Sequence, residues 1–148
     1  FLMLKHLIKN IKAGDSVLDL GSGSGILSIA AYLYKASKVI AIEHDEDCKN
    51  NFLENLQING IDSYNIDFII DDVLLWEVVN QDIVLANINK NIIKELIPNF
   101  KNTKSKILLS GLLEEDQNEI QSILKLENVN LIHIHKYNEW ILMVIQND

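Results

Sequence analysis

Three glycines alternate with two serines directly behind a short apolar stretch, in the run Leu18-Asp19-Leu20-Gly21-Ser22-Gly23-Ser24-Gly25. Neither a strand nor a helix continues through so many glycines, so the run fixes a tight turn between "SVLDL" and the apolar segment "ILSIAAYLYK". A strand that turns through glycines into a helix is the opening unit of a doubly wound α/β sheet. Ligands of such sheets lie beyond the C-terminal strand ends, near the point where strand order reverses. The turn is therefore the first place to look for a ligand.

Its spacing and its acid narrow what that ligand can be. Dinucleotide-binding turns follow G-x-G-x-x-G, and here the position of the third glycine is Ile26. Asp19, two residues before Gly21, would repel a pyrophosphate, but it suits a ligand carrying an ammonium and a sulfonium charge. S-adenosyl-L-methionine is such a ligand. Asp19 would take its amino group, directly or through water, while Gly21, Gly23 and Gly25 let the methionine portion approach the backbone and the helix start tight against the strand. Glu43 closes the second predicted strand about 20 residues beyond the glycines, where a carboxylate can accept both ribose hydroxyls. Asp72, after the third strand, is placed to accept from the adenine amino group, with Asp71 as its rival and Val73 against the ring. The competing readings are a purely structural turn and a solvated strand end.

Apolar spacing along the chain alternates between helical and strand periods. "FLMLKHLIKNIK" reads as a helix with Leu4, Leu7, Ile8 and Ile11 inward, "KVIAIE" as a strand, and "DEDCKNNFLENLQIN" as a helix burying Cys48, Phe52, Leu53 and Leu56. Asp45 is placed to cap that helix and Asn59-Gly60 to stop it. "IDFIID", "DIVLAN" and "SKILLS" read as strands, "NIIKELIPNF" and "EEDQNEIQSILKLE" as helices. "NLIHIHKY" and "EWILMVIQ" form a hairpin turning at Asn138. The expected fold is α/β: a doubly wound, Rossmann-like, seven-stranded and mostly parallel sheet with a C-terminal antiparallel hairpin and helices on both faces.

The 148 residues suit one domain. Thirteen basic residues against 21 acidic ones give a net charge of -8, which disfavours a nucleic-acid partner and favours a basic protein or a small molecule. No apolar run reaches the roughly 18 residues that span a bilayer, no leader opens the chain, and Cys48 stands alone, so the expectation is a cytoplasmic location away from membranes. Starting at Phe1 inside a helical pattern, the sequence reads as the later portion of something longer. Oligomeric state is left open.

"LANINKN" follows the fourth strand, where this kind of sheet presents groups to a transferring methyl. The Asn87 amide oxygen and neighbouring carbonyls would hold an amine N-H and turn the nitrogen lone pair toward the methyl carbon. A helix cap competes for Asn87. The combination of "VLDLGSGSGILSIAA", "LANINKNIIKELIP", "LLSGLLEEDQ" and a late "EW" resembles the catalytic domain of the PrmA-type ribosomal protein methyltransferases, over nearly all 148 residues. That resemblance implies methylation of lysine and terminal amino groups on the stalk-base protein of the large ribosomal subunit. It also implies a separate N-terminal substrate-recognition domain, which residues 1–148 lack. By position it implies Asp19, Gly21, Gly23 and Gly25 at the methionine portion, Glu43 at the ribose, Asp72 near adenine and Asn87 at the reaction centre. Where the family has leucine or tyrosine after its asparagine-isoleucine pair, this chain has Asn89.

The alternatives are methylation of RNA or a small molecule, a cofactor-binding module without activity, and, more distantly, a nicotinamide oxidoreductase. No metal is expected. His133 and His135 share a strand face without an evident third ligand and read as an exposed edge. Trp76 and Trp140 read as packing residues, and Cys48 as an inward-facing thiol rather than a nucleophile.

Overall fold

The computed structural model describes residues 1–148. Five helices and seven strands follow one another as α1 (Leu2–Asn10), β1 (Ser16–Leu20), α2 (Ile26–Leu33), β2 (Lys38–Glu43), α3 (Cys48–Ile58), β3 (Asp67–Ile70), β4 (Ile83–Asn87), α4 (Lys90–Leu96), β5 (Lys106–Leu113), α5 (Gln117–Leu126), β6 (Leu131–Tyr137) and β7 (Trp140–Ile145). The strands make one sheet in the order β3-β2-β1-β4-β5-β7-β6. Pairing is parallel from β3 through β5, while β7 runs antiparallel to both β5 and β6. The hairpin is thus present, with β7 wedged inside the sheet and β6 at its edge. Order reverses between β1 and β4, so the glycine turn after β1 opens at the switch point.

The period of two in the strands divides the apolar residues between two cores. Leu18 and Leu20 of β1 face one core with Ile93 and Leu96 of α4 and Ile120 and Leu124 of α5. Val17 faces the other, with Leu7 of α1, Ile29 of α2, and Phe52 and Leu56 of α3. The same alternation turns Asp19 toward α2 and into the second core, where it is fully buried. No helix is long and apolar enough to cross a membrane.

Three expected faces differ in detail. In α1 the buried residues are Met3, His6 and Leu7, while Ile8 is exposed. The shift follows from α1 packing on α2, β5 and β7, with Met3 and Leu7 in the core and the His6 ring stacked on His135 with centroids 3.8 Å apart. His135 is therefore half-covered rather than part of a bare edge, and His133 tilts against it at 4.3 Å. No group of three or more candidate ligands is arranged to hold a metal. In α3, Leu53 is exposed and Cys48 half-buried, so the inward stripe narrows to Phe52 and Leu56. Asp45 does not cap α3 itself; its side chain accepts from the N–H of Asp47, the residue immediately before the helix.

β5 runs past the expected "SKILLS" to Leu113. Its pairing with β7 shifts register between Leu109 and Leu112, and Gly111, at φ +84°, supplies the extra residue of the bulge. A Cβ on Gly111 would collide with the Ile88 carbonyl oxygen, so glycine answers both to the backbone angle and to the loop crossing above it.

Candidate functional site

The glycine turn is held from three sides. The Gly21 and Ser22 N–H groups both donate to the Ile42 carbonyl at the end of β2, at 2.9 and 3.0 Å. Asn55 of α3 donates its side-chain amide to the Ser24 carbonyl at 2.9 Å. Glu43 accepts from the Gly23 N–H at 2.7 Å with one carboxylate oxygen and from the Asp45 N–H at 2.9 Å with the other. Gly25 begins α2 at φ +84°, and a Cβ there would stand 2.6 Å from the Phe52 ring. Its tight start is thus set by a side chain of α3 rather than by the strand. The missing Cβ of Gly21 makes room for the Ile88 side chain, whereas the space over Gly23 is open.

Asp19 sits behind this turn and lines none of the cavities. One carboxylate oxygen accepts from the Ser28 hydroxyl at 2.6 Å, and the other is buried without a partner. Burial pushes the carboxyl up to about 6, against the Ser28 hydrogen bond, with the Glu43 charge adding to the rise. A buried anion with a free lone pair and no counter-charge is an arrangement that a nearby cation relieves.

Three cavities adjoin along the C-terminal strand ends. One of 360 Å³ is lined by Glu43, Asp72, Val73, Ile88 and Gly21 among others. A second, of 430 Å³, lies over Gly21, Gly23, Ile26 and Leu27 and reaches Met3 and Asn87. A third, of 340 Å³, continues from Asn87 and Met3 to Ser110, Gly111, Tyr137 and Trp140. Shared residues join them: Gly21 the first two, Asn87 and Met3 the last two. The sequence-selected residues Gly21, Gly23, Glu43, Asp72 and Asn87 all line this groove, while Asp19 and Gly25 support it from behind.

Asp71 is outside the groove. Its carboxylate accepts from the Asp72 N–H at 2.8 Å and from the Trp76 indole at 3.0 Å, so it fastens the loop. Asp72 lines the first cavity and accepts from the Leu74 N–H at 2.9 Å with one oxygen, while the other makes no hydrogen bond within the chain. Asn89 is the cap of α4, accepting from the Asn91 and Ile92 N–H groups at 3.0 and 3.2 Å. Asn87 makes no side-chain hydrogen bond within the chain and is exposed, so its amide is left to the groove. Lys90, next along α4, pairs at 2.7 Å with Asp116, which also accepts from the Leu113 N–H, tying the loop after β4 to the end of β5. Trp140 is 44% exposed at the mouth of the third cavity and not in a core; it begins β7, paired with Leu113 of β5 and Tyr137 of β6. Burial and the surrounding carboxylates Glu43, Asp45 and Asp47 raise the Cys48 thiol, keeping it protonated.

The whole chain, residues 1–148, matches the family model for ribosomal protein L11 methyltransferase (PrmA). The chain belongs to that family. It is 35% identical over 148 residues to the ribosomal protein L11 methyltransferase of Staphylococcus saprophyticus, covering 98% of this chain and 47% of that protein. It is 33% identical over 153 residues to that of Prochlorococcus marinus, covering 99% and 50%. The chain thus spans about half the length of the curated relatives it matches. Among solved structures it is similar to a ribosomal protein L11 methylase from Lactobacillus delbrueckii subsp. bulgaricus, with a TM-score of 0.90 and 26% identity over 99% of this chain and 77% of that one.

Sequence reasoning missed Ser28 and Ile88, had Ser110 only as part of the "LLSGLLEEDQ" motif without a role, and misjudged Trp140. Ser28 carried one usable signal, since a serine in the first turn behind a buried acid is placed to bond it. Ile88 carried none, because its neighbours Gly21 and Gly111 are 67 and 23 residues away in the chain.

Proposed function

We propose that residues 1–148 form the catalytic half of an S-adenosyl-L-methionine-dependent N-methyltransferase acting on amino groups of ribosomal protein L11. The supporting observation is the row of three adjoining cavities, which takes in Asp72 and Glu43, then Gly23, then Asn87 and Ser110, each sharing lining residues with the next. Its residues fit that cofactor and disfavour a pyrophosphate. Two carboxylates line one end, a fully buried third one with an unpartnered oxygen stands behind the turn, and the space over Gly23 is open where a Cβ would otherwise project. Asp72 would accept from the adenine amino group, Glu43 from the ribose hydroxyls, and the negative field of Asp19 would favour the ammonium. The Gly23 backbone would lie under the methionine chain.

When bound, the cofactor supplies a methyl carbon on a sulfonium sulfur, which passes to a nitrogen lone pair while sulfur keeps the electrons of the broken bond. The chain's own contribution is placement. Asn87 accepts an N–H of the incoming amine and so turns the lone pair along the groove. Among residues 1–148 the third cavity is lined by no carboxylate, imidazole or thiol, and water is assigned as the acceptor of the one proton that the ammonium loses before each transfer. We assign recognition of L11 to a domain outside residues 1–148, a reading supported by the chain spanning about half the length of its curated relatives. The site is in a setting away from membranes, in the cytoplasm.

Calorimetry of the full-length protein with S-adenosyl-L-methionine, followed by transfer of labelled methyl groups to purified L11, tests the proposal. Saturable one-to-one binding and label on L11 amines are expected. Binding of NAD instead, or label only on RNA, would overturn it.

A further inference from the structure

The acceptor cavity holds a further polar side chain, Ser110, to which the sequence assigned no role. Ser110 of β5 is paired in register with Asn87 of β4 in a parallel ladder, so the two side chains stand side by side on one face of the sheet. Both line the third cavity. Ser110 is 5% exposed, and a buried hydroxyl ordinarily finds a good partner. Here its one hydrogen bond within the chain, donated to the Ile141 carbonyl, is 3.4 Å long, beyond the usual range for an O–H donor. The hydroxyl is thus built into the cavity floor, and its lone pairs are unspent.

We propose that Ser110 is a substrate-contacting residue that accepts one N–H of the methyl-accepting amine while Asn87 accepts the other. This rests on the function proposed above and defines its acceptor further. A neutral primary amine has two N–H bonds and one lone pair. Two oxygens on adjacent strands hold both N–H bonds and leave the lone pair a single direction, along the groove toward Gly23. The remaining wall, Tyr137, Trp140 and the Met3 end of α1, suits the alkyl stem that carries the amine. A hydroxyl or ring-nitrogen acceptor cannot fill both positions, so the pair selects a primary amine for the first transfer.

The arrangement makes the three successive methylations unequal in their need for Ser110. The first uses two N–H acceptors, the second one, and the third none. In the full-length protein with L11 as the probe, Ser110→Ala should lower the rate of the first transfer about fivefold to tenfold and change the second and third less than about twofold, read by mass spectrometry of the methylation states. Ser110→Thr, which keeps the hydroxyl in a residue favoured in strands, should restore the first step. Calorimetry should show unchanged S-adenosyl-L-methionine affinity in both variants, and weaker L11 binding for Ser110→Ala with S-adenosylhomocysteine present. An equal fall in all three steps, or wild-type rates throughout, would overturn the role of Ser110 while leaving the methyltransferase reading intact. A wild-type protein that binds the cofactor but leaves L11 unmodified would overturn the substrate reading and this inference with it.

Discussion

Asp19→Asn should gain stability relative to the wild type as pH rises toward neutrality, while weakening the protein's hold on the cofactor. The carboxyl rises from its ordinary 3.8 to about 6, chiefly because it is buried, partly offset by the 2.6 Å bond from Ser28. In the unfolded chain the same group ionises near 3.8. Between the two values the folded state binds more protons than the unfolded one, so stability falls as pH rises. About two units at 1.36 kcal/mol each put the loss at about 3 kcal/mol, most of it between about pH 4 and pH 7. Asparagine is neutral throughout and can keep the Ser28 bond through its amide oxygen. Its N–H₂ group, set in place of the unpartnered oxygen, costs about 1–3 kcal/mol at every pH. The diagnostic quantity is therefore the difference in urea unfolding free energy between variant and wild type. It should move in favour of the variant by about 2–3 kcal/mol from about pH 4 to pH 7. S-adenosyl-L-methionine affinity, measured by calorimetry at pH 7, should fall about tenfold to a hundredfold as the anion behind the turn is lost. A stability difference that stays flat with pH, together with unaltered affinity, would refute the reasoning.

Asn87→Ala should leave cofactor affinity within about twofold and lower turnover on L11 about a hundredfold, measured with labelled methyl donor. Gly111→Ala forces a Cβ against the Ile88 carbonyl at a left-handed φ, and should cost several kcal/mol in urea unfolding, about 3 or more. His6 is held down at about 4, first by burial and then by His135, Lys9, Lys5 and His133. Its unfolded state therefore binds more protons below about 6.5, and stability falls as pH drops through that window, opposite in sign to Asp19. His6→Phe keeps a ring over His135 and should remove that acid sensitivity, as seen in the pH dependence of the melting temperature.

Strands were legible because a run such as "KVIAIE" or "SVLDL" is bounded by charge or glycine and too short for a helix, and β1 and β2 match those segments to the residue. Faces of helices were less so. In α1, Leu4 and Ile8 satisfy the apolar spacing as well as Met3 and Leu7 do, and the choice was made by packing on β5 and β7, about a hundred residues and more away in the chain. The groove divides in the same way. Glu43, Asp72 and Asn87 occupy strand ends, which any parallel sheet gathers on one side, so their meeting could be foreseen. Asn89 as the cap and Ser110 as neighbour to Asn87 depend on where α4 starts and on the β4–β5 register, and neither is written in local sequence.

The place of β7 bears on how the molecule comes to be made. Synthesis delivers β6 before β7, yet β7 fills the gap between β5 and β6. Until residues 140–145 emerge, β5 has an open hydrogen-bonding edge composed of Ile107, Leu108 and Leu109, and β6 has nothing to pair with. A nascent chain halted at Tyr137 would present that sticky edge to its neighbours, so the final strand acts as a closing stitch, and its absence invites aggregation rather than a smaller functional fold.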